Sequence, residues 1–301
     1  VKNRTSHKKK NKLIYSIIAS VVVLAGTLLH NSNFDIQKKA VAVEGNQANS
    51  TMEVHFIDVG QADCILIESA GEYMLIDAGN NEDGTLVTNY LKEEGVSKLK
   101  YVITTHPHED HIGGMDDVIN SFPIDTIFMP DVVHTTKTFE DVLMAISENN
   151  LEITIPEIGE QYRIGNANFI MIAPNRNDYG DNLNNYSIGI KLVNGSNSFL
   201  MCGDAEEEAE TDILNNGIDI SAQVYKASHH GSSTGTSEEF LEAISPGYAV
   251  ITCGAENDYG HPHKETLEKF EDMGIEVYRT DLNGTIVAVS NGIDITFTSK
   301  E

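Results

Sequence analysis

Between Thr105 and Gly114 the chain reads THPHEDHIGG, which puts His106, His108, Asp110 and His111 within six positions and two glycines directly after them. On an extended segment, residues two apart point the same way, so His106 and His108 face a common point. Asp110 and His111 follow the start of a turn and reach a second point beside it. Imidazole nitrogen and carboxylate oxygen are the donors of hydrolytic zinc sites; imidazole also suits iron or nickel, and carboxylate suits manganese. A lone His-x-His says little, but the full H-x-H-x-D-H spacing is specific. Pro107 stiffens the loop, and Gly113-Gly114 lets backbone pass close by.

Such a centre needs donors from elsewhere in the chain. Met201-Cys202-Gly203-Asp204 ends an apolar strand on a carboxylate, which is poorly solvated there unless a cation meets it. The competing reading of Asp204 is a helix cap. Val224–Ser228 is a strand that runs into His229-His230-Gly231, and Gly260-His261-Pro262-His263 is a third histidine stretch. His263 reads as a solvated loop residue. Asp58 and Asp77 also end strands, and the roles of histidine-orienting partner and turn cap are equally open to each. The chemistry that fits is hydrolysis. A bound divalent metal lowers the pKa of its water from 15.7 toward roughly 7, making hydroxide available at neutral pH. Two metals also hold a substrate oxygen as charge develops on it.

These residues require strands that end together. Short apolar runs predict strands at 53–59, 64–68, 73–77, 100–105 and 126–129. Residues 152–172 alternate like antiparallel strands, and 187–202 reads as a hairpin turning at Asn194-Gly195. Further strands are predicted at 222–227, 248–253, 275–279 and 284–298. Helical spacing predicts helices at 85–94, 113–121, 139–149, 206–215, 237–244 and 264–273. Strands in two groups with helices outside imply a mixed α/β, four-layer αββα sandwich rather than a doubly wound parallel sheet.

The formal net charge of the 301-residue chain is −26, unevenly spread. The first 39 residues carry +7 and the remainder −33. A body this acidic repels polyanions at long range, which disfavours bulk nucleic-acid binding. Cys64, Cys202 and Cys253 show no C-x-x-C spacing and read as buried small hydrophobes. Residues 1–12 form a basic flank before an uncharged apolar run at 13–29, the pattern of a signal anchor or signal peptide. The run is near the lower limit for spanning the membrane as a helix. A positive flank stays cytoplasmic, placing the body outside the cytoplasm, anchored or secreted after cleavage. Residues 30–50 read as a linker, and the folded body as 51–301.

The stretches FIDVGQADCILIES, YMLIDAGN, VITTHPHEDHIGG, NNYSIGIKL, FLMCGDAE, VYKASHHGSSTGTSEEFLEAISPGYAVITCG and YGHPHKETLEKF together resemble the metallo-β-lactamase-fold hydrolases. Within these, they resemble the extracytoplasmic hydrolase domain of ComEC-type competence proteins. The likeness covers nearly all of residues 51–298. It implies one or two divalent metals, Zn2+ with Mn2+ as the alternative. His106 and His108 would hold the first metal and Asp110 and His111 the second, with Asp204 bridging. One of His229 and His230 would complete the second site. Asp110, His230 and His261 are the catalytic candidates, the unligated histidine of the pair and His261 contacting substrate or protonating the leaving group. Two departures stand out. No histidine lies between His134 and His229, where most members have a ligand and this chain has Asn184-Asn185-Tyr186-Ser187. Ala62 replaces a frequent glycine. The function implied is an exported or membrane-anchored phosphodiesterase acting on a small, cell-wall or nucleic-acid phosphoester. Its alternatives are a non-catalytic metal-binding sensor of the same fold, a lactone or β-lactam hydrolase, and a di-iron redox protein.

Overall fold

Strands rich in Ile, Val and Leu build two sheets in the computed structural model, which describes residues 51–300. The expected basic flank, apolar run and linker lie outside the described residues. Among the described residues no helix is long and apolar enough to cross a membrane.

In the first sheet β1 (Met52–Phe56), β2 (Ile65–Ser69) and β3 (Glu72–Ile76) pair antiparallel, while β4 (Leu99–Ile103), β5 (Ile124–Phe128) and β6 (Ile153–Thr154) continue from β3 in parallel. The second sheet holds β7 (Gln161–Ile164), β8 (Ala167–Ala173), β9 (Gly189–Asn194) and β10 (Asn197–Met201), all antiparallel. The parallel strands β11 (Val224–Lys226), β12 (Tyr248–Ile251) and β13 (Glu276–Arg279) follow. The last two strands, β14 (Thr285–Ser290) and β15 (Ile295–Lys300), return to the first sheet beside β1.

Three apolar layers hold this together. The middle one lies between the sheets and includes Phe56, Ile67, Phe128, Phe169, Leu192 and Phe199. Over the first sheet pack α1 (Gly84–Glu93), α3 (Met115–Ser121) and α4 (Lys137–Glu148), through Val87, Leu91, Met115, Val118 and Val142. Over the second pack α5 (Glu207–Asn215), α6 (Glu238–Ile244) and α7 (Lys264–Asp272), through Ile213, Phe240, Leu241 and Phe270. Alternation explains the pattern: each strand sends one face to the middle layer and the other beneath a helix. The expected αββα sandwich is the observed architecture.

Two details differ from the sequence expectation. Ile153 and Thr154 join the first sheet in parallel beside β5, and only β7 and β8 form the antiparallel hairpin. Alternation reports which side of a strand is buried, not which strand lies next to it. A short helix, α2 (Glu109–Ile112), also begins inside the histidine motif, earlier than the helix expected from Gly113. Glu109 and Asp110 occupy its first turn, where acids suit the exposed amides.

Crossovers between parallel strands bring β3, β4, β10, β11 and β12 to end on one rim of the sandwich. The first four are followed by residues singled out above, Asp77, His106, Asp204 and the His229-His230 pair, and β12 by Thr252.

Candidate metal centre

The rim is laced together by backbone. The amide of Asp63, in the loop after β1, donates to the carbonyl of Asp110 at 3.1 Å. Ala78 N–H donates to His111 O at 2.7 Å and Gly113 N–H to Gly79 O at 2.8 Å. This is the close approach that Gly113 and Gly114 permit. A Cβ on Gly113 would stand 2.2 Å from the Asn80 carbonyl carbon, and one on Gly114 2.5 Å from Ala78 O. The loop carrying Asp77 is thereby fixed against the loop carrying the histidines.

Asp77 is fully buried and shared by two neighbours. Thr105 donates to it twice, from N–H at 2.7 Å and from its hydroxyl at 2.6 Å. His111 Nδ1 donates to the same carboxylate at 2.8 Å. With Nδ1 engaged, His111 Nε2 is left to face Asp204 Oδ2 at 3.2 Å. Having spent its proton on Asp77, the Thr105 hydroxyl accepts from His106 Nδ1 at 3.2 Å. Of the two strand-end aspartates, Asp77 therefore orients histidines. Asp58 caps a turn, accepting from Gly60 N–H at 3.1 Å.

Asp204 is buried just beyond β10, its amide donating to Ser187 Oγ at 3.0 Å. It does not cap α5, whose N-cap is Glu206. His230 is buried too; its Nδ1 donates to Thr252 O at 2.9 Å, leaving Nε2 3.3 Å from Asp110 Oδ2 and 3.5 Å from Asp204 Oδ2. Donor atoms of Asp110, His111, Asp204 and His230 all lie within 4.8 Å of one another. His111 Nε2, His230 Nε2 and Asp204 Oδ1 are buried with no hydrogen-bond partner among the described residues. A buried polar atom left unsatisfied costs roughly 1–3 kcal/mol. Three such atoms facing one another are what a cation would satisfy, so the donor set fits a divalent metal.

The electrostatics agree. Burial disfavours the charged form of His111, but Asp204, Asp110 and Asp77 outweigh it and hold its pKa well above the ordinary value. His230 is pushed up to about 10, the pull of Asp204 and Asp63 exceeding the cost of burial. Asp204 is held well below the usual carboxylate range in spite of its burial, by His111 and His230. The cluster draws positive charge, whether as protons on its rings or as a metal.

His106 and His108 stand beside this group but outside it. The His106 ring is 4.1 Å from that of His111 between centroids, and His106 Nε2 is 3.0 Å from His108 Nδ1. Burial lowers the pKa of both, so both are neutral and available as donors. The segment that lacks the usual middle histidine wraps the Asp204 loop instead: Asn185 Oδ1 accepts from Glu206 N–H at 3.0 Å, and Ser187 Oγ lies 3.3 Å from His106 Nδ1. Ala62, where a glycine is frequent, is not among the residues of positive φ, so its side chain introduces no backbone strain.

His229 sits at the mouth, 22% exposed, with Nε2 3.7 Å from Asp204 Oδ2. Its Nδ1 lies 3.2 Å from Glu206 Oε1 and 3.0 Å from the Thr234 hydroxyl. The hydrogen bond from His229 is the main reason the Glu206 pKa is held down to about 2. His261 lines the same mouth, its ring 5.5 Å from that of His229 and stacked at 5.6 Å on exposed Tyr259. Burial, with His230 and His229 nearby, lowers its pKa to about 4. His263 is in the loop beyond, accepting from Ser233 N–H at 2.9 Å.

Sequence reasoning missed Asp63, Lys226, Glu206 and Thr252. One signal was present: Lys226 interrupts the otherwise apolar run Val224-Tyr225-Lys226-Ala227, and a lysine buried there must have a carboxylate partner.

Residues 57–255 match the family model of the metallo-beta-lactamase superfamily. ComE operon protein 3 of Bacillus subtilis (strain 168) is 30% identical over 260 residues, covering 79% of this chain and 33% of that protein. Competence protein ComA of Neisseria gonorrhoeae is 26% identical over 249 residues, covering 81% and 33%. The resemblance to competence proteins is thus borne out, and the chain spans about 33% of the length of these relatives. Among solved structures, the metallo-beta-lactamase fold protein YhfI from Bacillus subtilis aligns with a TM-score of 0.53 at 13% identity, covering 80% of this chain and 100% of that one. CmlA, a diiron beta-hydroxylase from Streptomyces venezuelae, aligns with a TM-score of 0.52 at 14% identity, covering 82% and 55%. These two share the fold, which by itself does not select a chemistry.

Proposed function

Because the chain belongs to the metallo-β-lactamase superfamily, we propose that it is a metal-dependent hydrolase of phosphodiesters, using one or two divalent cations, Zn2+ or Mn2+. The observation that carries this reading is the convergence of His111 Nε2, His230 Nε2 and Asp204 Oδ1, three buried donors without hydrogen-bond partners, from three separate strand ends. Asp110, His111, Asp204 and His230 would hold one cation, and His106 and His108 would serve a second beside it. When bound, a divalent cation polarises a phosphoryl oxygen and acidifies water.

The chain's own groups supply the rest. Asp77 and Thr252 fix the tautomers of His111 and His230, so that Nε2 of each faces inward. Asp110, partly exposed and 3.3 Å from His230 Nε2, is placed to orient an incoming water. Glu206 stays anionic at neutral pH and holds His229 by Nδ1, leaving Nε2 at the mouth for proton transfer to the leaving oxygen. His261 and Tyr259 form the adjoining wall for the substrate's other ester group.

The substrate we favour is a small or surface-tethered phosphodiester, since the −33 carried beyond residue 39 opposes the approach of a long polyanion. The relatives named for competence keep a nucleic-acid diester as the second reading. The basic and apolar N-terminal residues support an anchored or exported protein with the hydrolase outside the cytoplasm. The test is turnover of bis-(p-nitrophenyl) phosphate, single- and double-stranded DNA and nitrocefin by the full chain. Diester hydrolysis that disappears with chelator and in Asp204→Asn is expected. Metal binding with no diester turnover would replace this reading with a sensor, and turnover of nitrocefin alone with a lactam hydrolase. Protease accessibility of the hydrolase in intact cells tests its location.

A further inference from the structure

Beneath the proposed centre lies a pair of charges that holds no position facing substrate. Asp63 and Lys226 are 1% exposed each, one in the loop after β1 and the other in β11, so they join the two sheets. Lys226 Nζ forms an ion pair with Asp63 Oδ2, and the Thr252 hydroxyl donates to Asp63 Oδ1. The same carboxylate lies 3.4 Å from His230 Nδ1 and 3.9 Å from His111 Nδ1. These are the two histidines whose Nε2 atoms lack partners. Thr252 ties the arrangement closed, because its hydroxyl donates to Asp63 while its carbonyl accepts from His230 Nδ1.

Asp63, Asp77 and His111 also bring their donor atoms within 4.8 Å of one another. Both carboxylates of that group are already satisfied, Asp63 by Lys226 and Thr252 and Asp77 by Thr105 and His111. The group is therefore a support beneath the centre and not a second cation site.

We propose that the Asp63–Lys226 pair is a positioning device for the metal centre: it locks His230, and with it the distance between the two sheets at the rim, in the arrangement that accepts a cation. Charge gives the pair its second effect. Asp63, Asp77, Asp110 and Asp204 place four carboxylates around the rim, and Lys226 is the cation buried among them. The lysine neutralises Asp63, so the buried pair adds no net charge beneath the centre. The lysine holds Asp63 away from the cation position, so that Asp63 orients a ligand instead of becoming one.

The inference rests on the metal-dependent reading above, and its test separates the two. Binding of Zn2+ and Mn2+ to the full chain is measured by titration calorimetry and by metal content after dialysis, alongside the melting temperature of the metal-free protein. A neutral double variant, Asp63→Asn with Lys226→Met, removes a buried ion pair without leaving a lone charge, a replacement that is often neutral for stability. It is expected to melt near the wild type without metal, yet to bind cation about ten- to hundred-fold more weakly, the usual cost of losing an orienting partner. Unchanged affinity would make the pair a strut between sheets and overturn the proposal. Thr252→Val keeps the carbonyl that holds His230 and removes the hydroxyl on Asp63. Should the double variant not fold, a several-fold loss of affinity at an unchanged melting temperature in Thr252→Val upholds the proposal, and no loss overturns it. Failure of the wild-type chain to bind either cation would remove the metal-centre reading itself.

Discussion

Replacing Asp204 by Asn keeps shape and removes one charge from the middle of the donor cluster. The carboxylate is 2% exposed, 3.2 Å from His111 Nε2 and 3.5 Å from His230 Nε2, and its amide is held by Ser187 independently of the side chain. Two unit charges about 4 Å apart attract by roughly 4 kcal/mol at an effective dielectric of about 20. An amide oxygen recovers part of this as a neutral donor, leaving a loss of about 3 kcal/mol, or roughly 150-fold in cation affinity. The consequence for stability follows from mass action. At a cation concentration about 100 times the wild-type dissociation constant, binding stabilises the fold by about 2.7 kcal/mol; after a loss of about 150-fold, only about 0.3 kcal/mol remains. For a domain of this size that is a metal-induced rise in melting temperature of about 5–11 °C falling to about 1 °C. Thermal melts with and without Zn2+ or Mn2+, checked by calorimetric titration, measure both quantities. A variant that binds cation as tightly as the wild type would show that the cluster around Asp204 is not the metal site.

The neighbouring histidines should separate cleanly. His230→Ala is expected to lose most bound metal, whereas His229→Ala should retain it and lose turnover by about 10²–10⁴-fold, the usual contribution of an acid–base group; metal content and diester assays on the two variants decide it. Asp77→Asn should weaken cation binding by about ten-fold or more through His111, while Asp58→Asn, which touches only a turn, should leave it unchanged in the same titration. Gly113→Ala forces a methyl to 2.2 Å from the Asn80 backbone. It should lower stability by about 1–3 kcal/mol or more even without metal, and a denaturant melt at wild-type midpoint would refute the close-packing argument. Phe199→Ala, in the layer between the sheets, should cost about 3–5 kcal/mol with no specific effect on metal affinity.

Much of the centre was legible because its chemistry is out of place locally. Carboxylates and imidazoles at the ends of apolar strands, as at Asp77, His106, Asp204 and His230, stand out from the pattern that makes the strands, and each lies on the rim. The αββα layering was legible for the same reason, since strands buried on both faces must be covered on both. The choice between His229 and His230 was not. Both have left-handed backbone, φ 51° and 53°, so the alternation that orients side chains on a strand no longer applies. One ring turns inward against Thr252 and the other outward against Glu206. The same limit hid the placement of β6, because strand periodicity does not name a neighbour.

The sequence alone determined the candidate donor types, their positions at strand ends and the family resemblance, since these are written in short stretches whose meaning is local. Only the tertiary structure decided which donors share a point. Asp63 and Lys226 are 163 positions apart by their numbering, and His111 and Asp204 lie 93 apart. Their contacts exist because two sheets pack face to face and parallel crossovers bring their strand ends to one rim, a consequence of burying three apolar layers at once that no single segment encodes.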